Sequence, residues 1–211
     1  MARTMPALLL LTALLLAFPA AAEWPGLFGT REFRSADLRV FPKWTGVLAR
    51  HERSRGMIAR GCTRSQFGDC EAEHWYAFMA ALKGKPAREQ VEAVNTTMNR
   101  ARYITDMVNW GVEDYWATPS EFFWKDGDCE DYAIAKYLTL RSLGFAEDSL
   151  RLLVVQDLNL KTPHAVLIVY LDGKALLLDN QIGTVIEADR VRHYRPIYSL
   201  NESGWWLHRQ Q

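Results

Sequence analysis

The spacing of apolar and polar residues divides the chain into a helical first part and a strand-rich second part. Apolar residues recur at intervals of three and four over residues 71–82 and 87–108, which predicts two amphipathic helices. Pro86 suits the start of the second helix, because a proline there leaves no backbone N–H unpaired. A further helix is predicted over 132–143, and Gly144 is a suitable residue to end it.

The second part of the chain has the pattern of an antiparallel sheet. Branched apolar residues dominate three segments, 150–156, 165–172 and 174–179. Asp172 and Gly173 lie between the last two segments and predict a tight hairpin turn. The aromatic stretch 110–124 shows no clear period and is expected to be a packed loop. The order of elements indicates one α+β domain, in which N-terminal helices and a cysteine-bearing helix pack on an antiparallel β-sheet.

The N-terminus has the pattern of a secretory signal peptide. Arg3 precedes an apolar run over residues 6–19, and the alanines at 20–22 form an A-x-A cleavage site. The run is short for a membrane span, although an uncleaved anchor stays open as an alternative. We expect residues 1–22 to be removed and residues 23–211 to form one extracytoplasmic domain. The formal net charge of 0 provides no basic field, so nucleic acid is not an expected partner.

The chain has three cysteines, an odd number for an oxidising compartment. Cys62 and Cys70 flank a polar loop, and a small disulfide between them is the preferred interpretation. Two alternatives stay open: both thiols are free, or both join His74 as zinc ligands, although three donors at this spacing match no standard zinc pattern. A disulfide between the first two cysteines leaves Cys129 unpaired.

Cys129 lies in an acidic segment, residues 126–131, at a predicted helix start. Asp128 is a good N-cap, and the acids after it suit the positive end of the helix dipole. Backbone N–H groups at such an end lower the pKa of a thiol and stabilise an oxyanion. A cysteine among four acids is a poor choice for core packing, so a reactive role is favoured over a structural one.

His164 and Asp179 complete a set of residues suited to thiol catalysis. His164 opens the second predicted strand and Asp179 ends the third, so pairing of these strands would bring the two side chains together. Such a set provides a thiolate nucleophile, an imidazole that exchanges the proton, and a carboxylate that orients the imidazole. We therefore predict Cys129, His164 and Asp179 as the catalytic residues. Each of them alone also fits a role in a core or a turn.

The acidic residues around Cys129 would raise the pKa of its thiol and oppose the effect of the helix N-terminus. A bound cation would cancel that penalty, and Ca²⁺ prefers hard oxygen ligands. Asp128, Glu130 and Asp131 are the predicted calcium ligands. An EF-hand is excluded, because Asp131 occupies the position of the required glycine and Tyr137 that of the final acid. The alternative is a group of solvated charges without an ion.

Four segments together resemble the bacterial transglutaminase-like cysteine proteinases, in particular the LapG-type periplasmic members of that family. The segments are YWATP at 115–119, GDCEDYAIAKY at 127–137, HAVL at 164–167 and LDN at 178–180. The resemblance extends from about Arg31 to Tyr198. It implies a papain-like, transglutaminase-like core with a triad and a set of calcium carboxylates at the positions already predicted: Cys129, His164 and Asp179, and Asp128, Glu130 and Asp131.

The resemblance also implies a biological role. Proteases of this type are calcium-dependent and cleave a large surface adhesin near its N-terminus beside a di-alanine site, which releases the adhesin and disperses biofilm. They are sequestered by the periplasmic domain of an inner-membrane cyclic di-GMP receptor. Two other functions stay open on the sequence: acyl transfer to an amine by a transglutaminase-like enzyme, and binding by a calcium-stabilised module without catalysis.

Overall fold

A computed structural model describes residues 24–58 and 69–211 of the chain. Among these residues, helices occupy most positions before residue 143, and strands occupy most positions after it. The helices are α1 (Pro42–Ile58), α2 (Asp69–Leu82), α3 (Ala87–Met98), α4 (Asp106–Asn109), α5 (Pro119–Lys125) and α6 (Cys129–Ser142). The strands are β1 (Arg31–Ser35), β2 (Leu150–Asp157), β3 (Pro163–Leu171), β4 (Lys174–Leu178), β5 (Ile186–Glu187), β6 (Tyr194–Leu200) and β7 (Trp205–Arg209). The α+β prediction is confirmed.

The strands form one antiparallel sheet in the order β1-β7-β6-β2-β3-β4-β5. The three predicted strands correspond to β2, β3 and β4, and the predicted hairpin joins β3 to β4. Asp172 and Gly173 form its turn with φ of 50° and 73°, the left-handed geometry that a two-residue hairpin loop requires. The sequence pattern did not predict β1, β5, β6 and β7.

Both faces of the central strands are covered. Leu167 and Val169 of β3 pack against the helices, whereas Val166 and Ile168 join a separate cluster on the opposite face of the sheet. That second cluster includes Leu27 and side chains from the chain between β4 and β6. Burial on both faces explains why these strands read as nearly continuous apolar runs.

Helix α6 lies at the centre of the fold. Every residue from Asp131 to Leu140 is buried, because the helix is enclosed by α3 and α5 on one side and by β2 and β3 on the other. Cys129 is its first residue and Asp128 its N-cap, as predicted. Cys129 therefore begins a helix that is buried from Asp131 onward for most of its length.

The predicted helix over 87–108 is wrong in its C-terminal half. Helix α3 ends at Met98. Within the remaining residues 99–108, the only helical ones belong to the start of the short α4. Met107 and Val108 continue the apolar period but are exposed, so no buried face supports a longer helix. Asn99, the C-cap of α3, instead donates a side-chain hydrogen bond of 2.7 Å to the backbone carbonyl of Asp179.

The predicted loop over 110–124 is also wrong in part, because α5 begins at Pro119. Thr118 is the N-cap of α5 and accepts a hydrogen bond from the Glu121 N–H, while the Glu121 carboxylate accepts the Thr118 N–H. Pro119 occupies the first helical position. A capping box consists of only two residues. The aromatic residues around this one show no helical period, so the sequence pattern did not indicate a helix here.

Several predictions fall outside the described residues. The signal peptide over 1–22 lies there, and so does Cys62, which is within 59–68. The side chains of Cys70 and His74 are likewise outside the described part, so the disulfide and the zinc alternative stay predictions. Within 24–58 and 69–211, none of the helices combines the length and the apolar character needed to cross a bilayer.

Candidate active site

The start of α6 is held in place by the carboxylate of Asp131. One of its oxygens accepts the Ala117 N–H at 2.7 Å, and the other accepts the Asp128 N–H at 3.4 Å. Gly127 allows this close approach, because a Cβ on residue 127 would lie 2.6 Å from the Asp131 Cβ. The acidic segment therefore fixes the position of Cys129 through backbone contacts as well as through charge.

His164 and Asp179 form a buried hydrogen-bonded pair. The hairpin of β3 and β4 brings them together, and His164 Nε2 lies 2.9 Å from Asp179 Oδ1. Asp179 also accepts the Gln181 N–H at 2.8 Å and the Tyr194 hydroxyl at 2.7 Å. Burial opposes ionisation of Asp179, but these hydrogen bonds, led by that from His164, keep its pKa below the usual value.

The pair determines which nitrogen of His164 is available for proton transfer. An ionised carboxylate only accepts hydrogen bonds, so Nε2 carries the hydrogen that points to Asp179. Nδ1 then carries the lone pair of the ring, and the side-chain Nε2 of Gln181 lies 3.4 Å from it. His164 and Cys129 both line an open cleft of about 330 Å³, so the imidazole and the thiol face the same space.

The surroundings of Cys129 favour the protonated form of its thiol. Its Sγ donates to Glu130 Oε2 at 3.2 Å, and burial followed by the adjacent Glu130 raises the pKa of the thiol well above its ordinary value. A hydrogen bond from the Ala165 backbone acts in the opposite direction and favours the thiolate. Burial and the adjacent acids therefore outweigh the Ala165 hydrogen bond and favour the neutral thiol.

The acids next to Cys129 form two overlapping groups. Oxygens of Asp106, Asp128 and Asp131 lie within 4.8 Å of one another, and so do oxygens of Asp106, Asp114 and Glu130. Burial raises the pKa of Asp106 to about 6 and that of Glu130 to about 8, and the Asp128 charge adds to both shifts. Burial is also the main cause of the raised pKa values of Asp128 and Asp131.

These groups fit a hard divalent cation. One carboxylate oxygen of Asp106 and one of Asp128 are buried without a hydrogen-bond partner among the described residues. Such oxygens are costly to bury unless a cation or a donor pairs with them. The candidate ligand atoms of both groups are carboxylate oxygens, which suits Ca²⁺ or Mg²⁺ and disfavours softer metals.

Sequence reasoning missed several residues of the site. Asp106 and Asp114 lie before the acidic segment in the chain, and only the folding of residues 99–118 brings them to it. Asp106 sits at the first position of α4, where an acid is ordinarily a helix-start residue and signals no ligand. Gln181 and Tyr194 both donate hydrogen bonds to Asp179. Gln181 is only two positions after Asp179 in the sequence, whereas no sequence signal connected Tyr194 with the site.

The cleft has chemically distinct walls. Trp116, Val154 and Tyr198 form an apolar side, whereas Glu113 and Asp114 make another side acidic. The openness of the cleft allows an extended chain to reach the thiol. A thiol at the start of a central helix, across a cleft from a His–Asp pair on an antiparallel sheet, defines the class of papain-like and transglutaminase-like thiol enzymes.

Comparison with known proteins narrows this class. The sequence profile of the bacterial transglutaminase-like cysteine proteinases matches residues 58–210. Calcium-bound LapG of Legionella pneumophila is 33% identical, with a TM-score of 0.63 over 74% of this chain and 86% of that one. EGTA-treated LapG of the same organism is 32% identical, with a TM-score of 0.63 over 75% and 86% of the two chains. A search of curated proteins found no match.

The chain belongs to the bacterial transglutaminase-like cysteine proteinase family, and it has a LapG-like fold. Family and fold together support a cysteine peptidase. The resemblance noted in the sequence is confirmed, and so is the transglutaminase-like core.

Proposed function

We propose that this protein is a calcium-dependent cysteine endopeptidase with Cys129 as nucleophile, His164 as general acid and base, and Asp179 as the orienting carboxylate. The observation that carries the proposal is the 2.9 Å contact between His164 and Asp179, next to a cleft that His164 shares with Cys129. Membership of a cysteine proteinase family supports this reading over acyl transfer to an amine and over binding without catalysis.

The chemistry proceeds through a covalent thioester. His164 Nδ1 takes the proton of Cys129, and the thiolate attacks the scissile carbonyl. Backbone N–H groups at the start of α6 stabilise the oxyanion, and protonated His164 gives its proton to the departing amine. Water activated by His164 then hydrolyses the thioester and restores the thiol. Asp179 keeps the imidazole in the required tautomer throughout, because it accepts the Nε2 hydrogen.

Calcium would be held by the predicted ligands Asp128, Glu130 and Asp131, together with Asp106 and Asp114 from the adjoining segment. When bound, the ion supplies positive charge that offsets the carboxylates surrounding the thiol. The Cys129 thiol donates a hydrogen bond to Glu130 in the structure described here, and a Glu130 carboxylate bound to the ion would be a weaker acceptor for it. The calcium-bound and EGTA-treated structures of LapG support a role for this ion in the present chain.

The proposed substrate is the N-terminal region of a large cell-surface adhesin, cut near a di-alanine site. Cleavage would release the adhesin and promote biofilm dispersal. The proposed location is the periplasm, reached after removal of residues 1–22, with residues 23–211 as the protease domain. We propose that the periplasmic domain of an inner-membrane cyclic di-GMP receptor controls access to the enzyme. Similarity to LapG and the open cleft support this reading.

The test is cleavage of the N-terminal fragment of the host's largest surface adhesin by residues 23–211. Wild type is assayed in calcium and in excess EGTA, beside Cys129→Ala in calcium. We expect cleavage in calcium, none in EGTA and none with Cys129→Ala. Circular dichroism of each sample checks that the fold is retained.

Three other outcomes contradict the proposal. Cleavage by Cys129→Ala would exclude the thiol as nucleophile. Calcium-dependent binding of the fragment without cleavage would identify a binding module instead. Incorporation of a lysine-like amine into the fragment, in place of its hydrolysis, would identify an acyl transferase.

A further inference from the structure

Tyr194 contacts both members of the buried histidine–aspartate pair. Its hydroxyl donates to Asp179 Oδ2 at 2.7 Å, and its ring packs against the His164 imidazole with centroids 5.6 Å apart. We infer that Tyr194 is a positioning residue that acts through Asp179 to hold the His164 imidazole in its catalytic orientation. This inference rests on the proposed protease function, and it names a residue outside the triad on which that function depends.

The hydroxyl of Tyr194 fixes the Asp179 carboxylate at the oxygen that His164 does not use. Oδ1 accepts from His164 Nε2 and from the Gln181 N–H, whereas Oδ2 accepts from Tyr194. Within residues 24–58 and 69–211, no second donor reaches Oδ2, and the Asp179 side chain is completely buried from bulk water. Loss of the hydroxyl would leave this charged oxygen unpaired. The carboxylate would then be free to rotate about its Cβ–Cγ bond, and rotation breaks the contact between Oδ1 and Nε2.

Tyr194 restrains the pair without using His164 Nδ1, the nitrogen that must exchange a proton with Cys129. Its hydroxyl bonds to the carboxylate, and its contact with the imidazole is between the two rings, which are inclined at 51°. Burial, followed by the hydrogen bond to Asp179, raises the pKa of the Tyr194 hydroxyl well above its ordinary value, so the hydroxyl stays a donor. Tyr194 therefore restrains the pair throughout the catalytic cycle and does not compete with the thiol for the lone pair of Nδ1.

The ring of Tyr194 has a second effect, because it also lines an open cavity of about 380 Å³ together with Phe28, Leu158 and Val191. His164 packs on this ring but does not line the cavity. The ring is therefore part of the wall between the imidazole and the solvent in the cavity. A hydrogen bond to a carboxylate is stronger when water is kept away from it, so the ring supports the His164–Asp179 contact independently of the hydroxyl.

The experiment separates the hydroxyl of Tyr194 from its ring. Tyr194→Phe removes only the hydrogen bond, whereas Tyr194→Leu also removes the aromatic shield. Tyr132→Phe is the matched control, because it deletes the hydroxyl of another buried tyrosine, which donates at the same 2.7 Å to the backbone carbonyl of Ala101.

Three readouts are used, all in saturating calcium. The first is kcat and KM for the adhesin fragment. The second is the rate at which iodoacetamide alkylates Cys129, followed by mass spectrometry of tryptic peptide 126–136, in which Cys129 is the sole cysteine. The third is the proton NMR resonance of His164 Nε2–H, which is assigned by its absence from His164→Ala.

We expect Tyr194→Phe to lower kcat about 5- to 30-fold with KM unchanged, which is part of the effect of losing one hydrogen bond to a charged group. Cys129 alkylation should slow in parallel, and the Nε2–H resonance should shift. Tyr194→Leu should lower kcat further. Tyr132→Phe should keep at least half of the wild-type kcat and leave the Nε2–H resonance in place.

A kcat of Tyr194→Phe within about twofold of wild type, or an unshifted Nε2–H resonance, would overturn the inference. Equal loss of kcat in Tyr194→Phe and Tyr132→Phe would overturn it as well, because the loss would then come from weaker packing. A rise in KM without a fall in kcat would place Tyr194 in substrate binding, which contradicts a role through Asp179.

His164→Ala separates failure of this inference from failure of the proposed function. If His164→Ala leaves Cys129 alkylation at the wild-type rate, the proposed pairing of thiol and imidazole is wrong, and the role of Tyr194 falls with it. If His164→Ala slows alkylation while Tyr194→Phe does not, the protease mechanism stands and the inference about Tyr194 alone is wrong.

Discussion

Replacing Lys136 with methionine should make the protein more stable and should do so in a pH-dependent way. Lys136 lies on α6 with 1% of its surface exposed. Burial lowers the pKa of its ammonium group from 10.5 to about 7, although the nearby Asp179 charge opposes this shift. Methionine has a similar length and no charge, so the substitution removes the cost of burying the ammonium without opening a cavity.

The magnitude follows from the difference between the two pKa values. The folded state binds the Lys136 proton more weakly than the unfolded state, by about 3.5 pKa units, and each unit corresponds to about 1.36 kcal/mol. The cost in the wild type is therefore about 5 kcal/mol below pH 7, where lysine is charged in both states. Between pH 7 and 10.5 the unfolded state binds more protons, so the stability of the wild type rises with pH and the cost disappears.

Urea unfolding at pH 6, 8 and 9.5 measures this difference. We expect Lys136→Met to exceed wild type by about 5 kcal/mol at pH 6 and by only about 1 to 2 kcal/mol at pH 9.5. Groups that titrate equally in both proteins cancel in the comparison. Lys83→Met, at an exposed lysine, should stay within about 0.5 kcal/mol of wild type at every pH. A gain below about 1 kcal/mol at pH 6, or a gain that does not shrink as pH rises, would refute the reasoning.

Two further substitutions test the site through stability and activity. Gly127→Ala should displace the Asp131 carboxylate, destabilise the protein by about 2 to 4 kcal/mol in urea unfolding, and abolish cleavage. Gly183→Ala is the control, because a Cβ at this position meets no atom within 4 Å, and it should change neither stability nor cleavage. Tyr194→Phe should cost about 1 to 3 kcal/mol in the same assay, because a buried carboxylate oxygen of Asp179 loses its donor. Tyr170→Phe should cost nothing, because the buried Tyr170 hydroxyl has no partner among the described residues; equal losses in the two tyrosine variants would contradict the assigned hydrogen bond.

The sequence predicted those parts of the site that depend on local pattern. Asp128 predicted the start of α6, and the turn at Asp172 and Gly173 predicted the hairpin that pairs His164 with Asp179. Hairpin register follows from loop length, so a pair of residues on two neighbouring strands can be placed from sequence.

The parts that sequence did not predict depend on long-range packing. Asp106 and Asp114 reach the acidic segment through the irregular path of residues 99–118, which no local pattern describes. Strands β1 and β7 pair across nearly the whole length of the described chain, so neither has a sequence neighbour that signals the pairing. Helix α3 was predicted too long, because periodicity alone does not show whether an apolar face has a partner.

The enclosure of α6 gives the two halves of the site different mechanical properties. Amide protons in the middle of this helix should exchange with solvent only when the whole domain unfolds, whereas those of the exposed stretch 111–114 should exchange through local opening. Cys129 begins this enclosed helix, whereas Asp106 and Asp114, two of the candidate cation-binding carboxylates, belong to an irregular segment that contacts the start of α6 through the Ala117–Asp131 hydrogen bond. Substitution of the exposed Asp114 should therefore change cation affinity at little cost in stability, whereas substitution of the buried Asp106 should also remove the acceptor of the Tyr115 N–H and destabilise the segment.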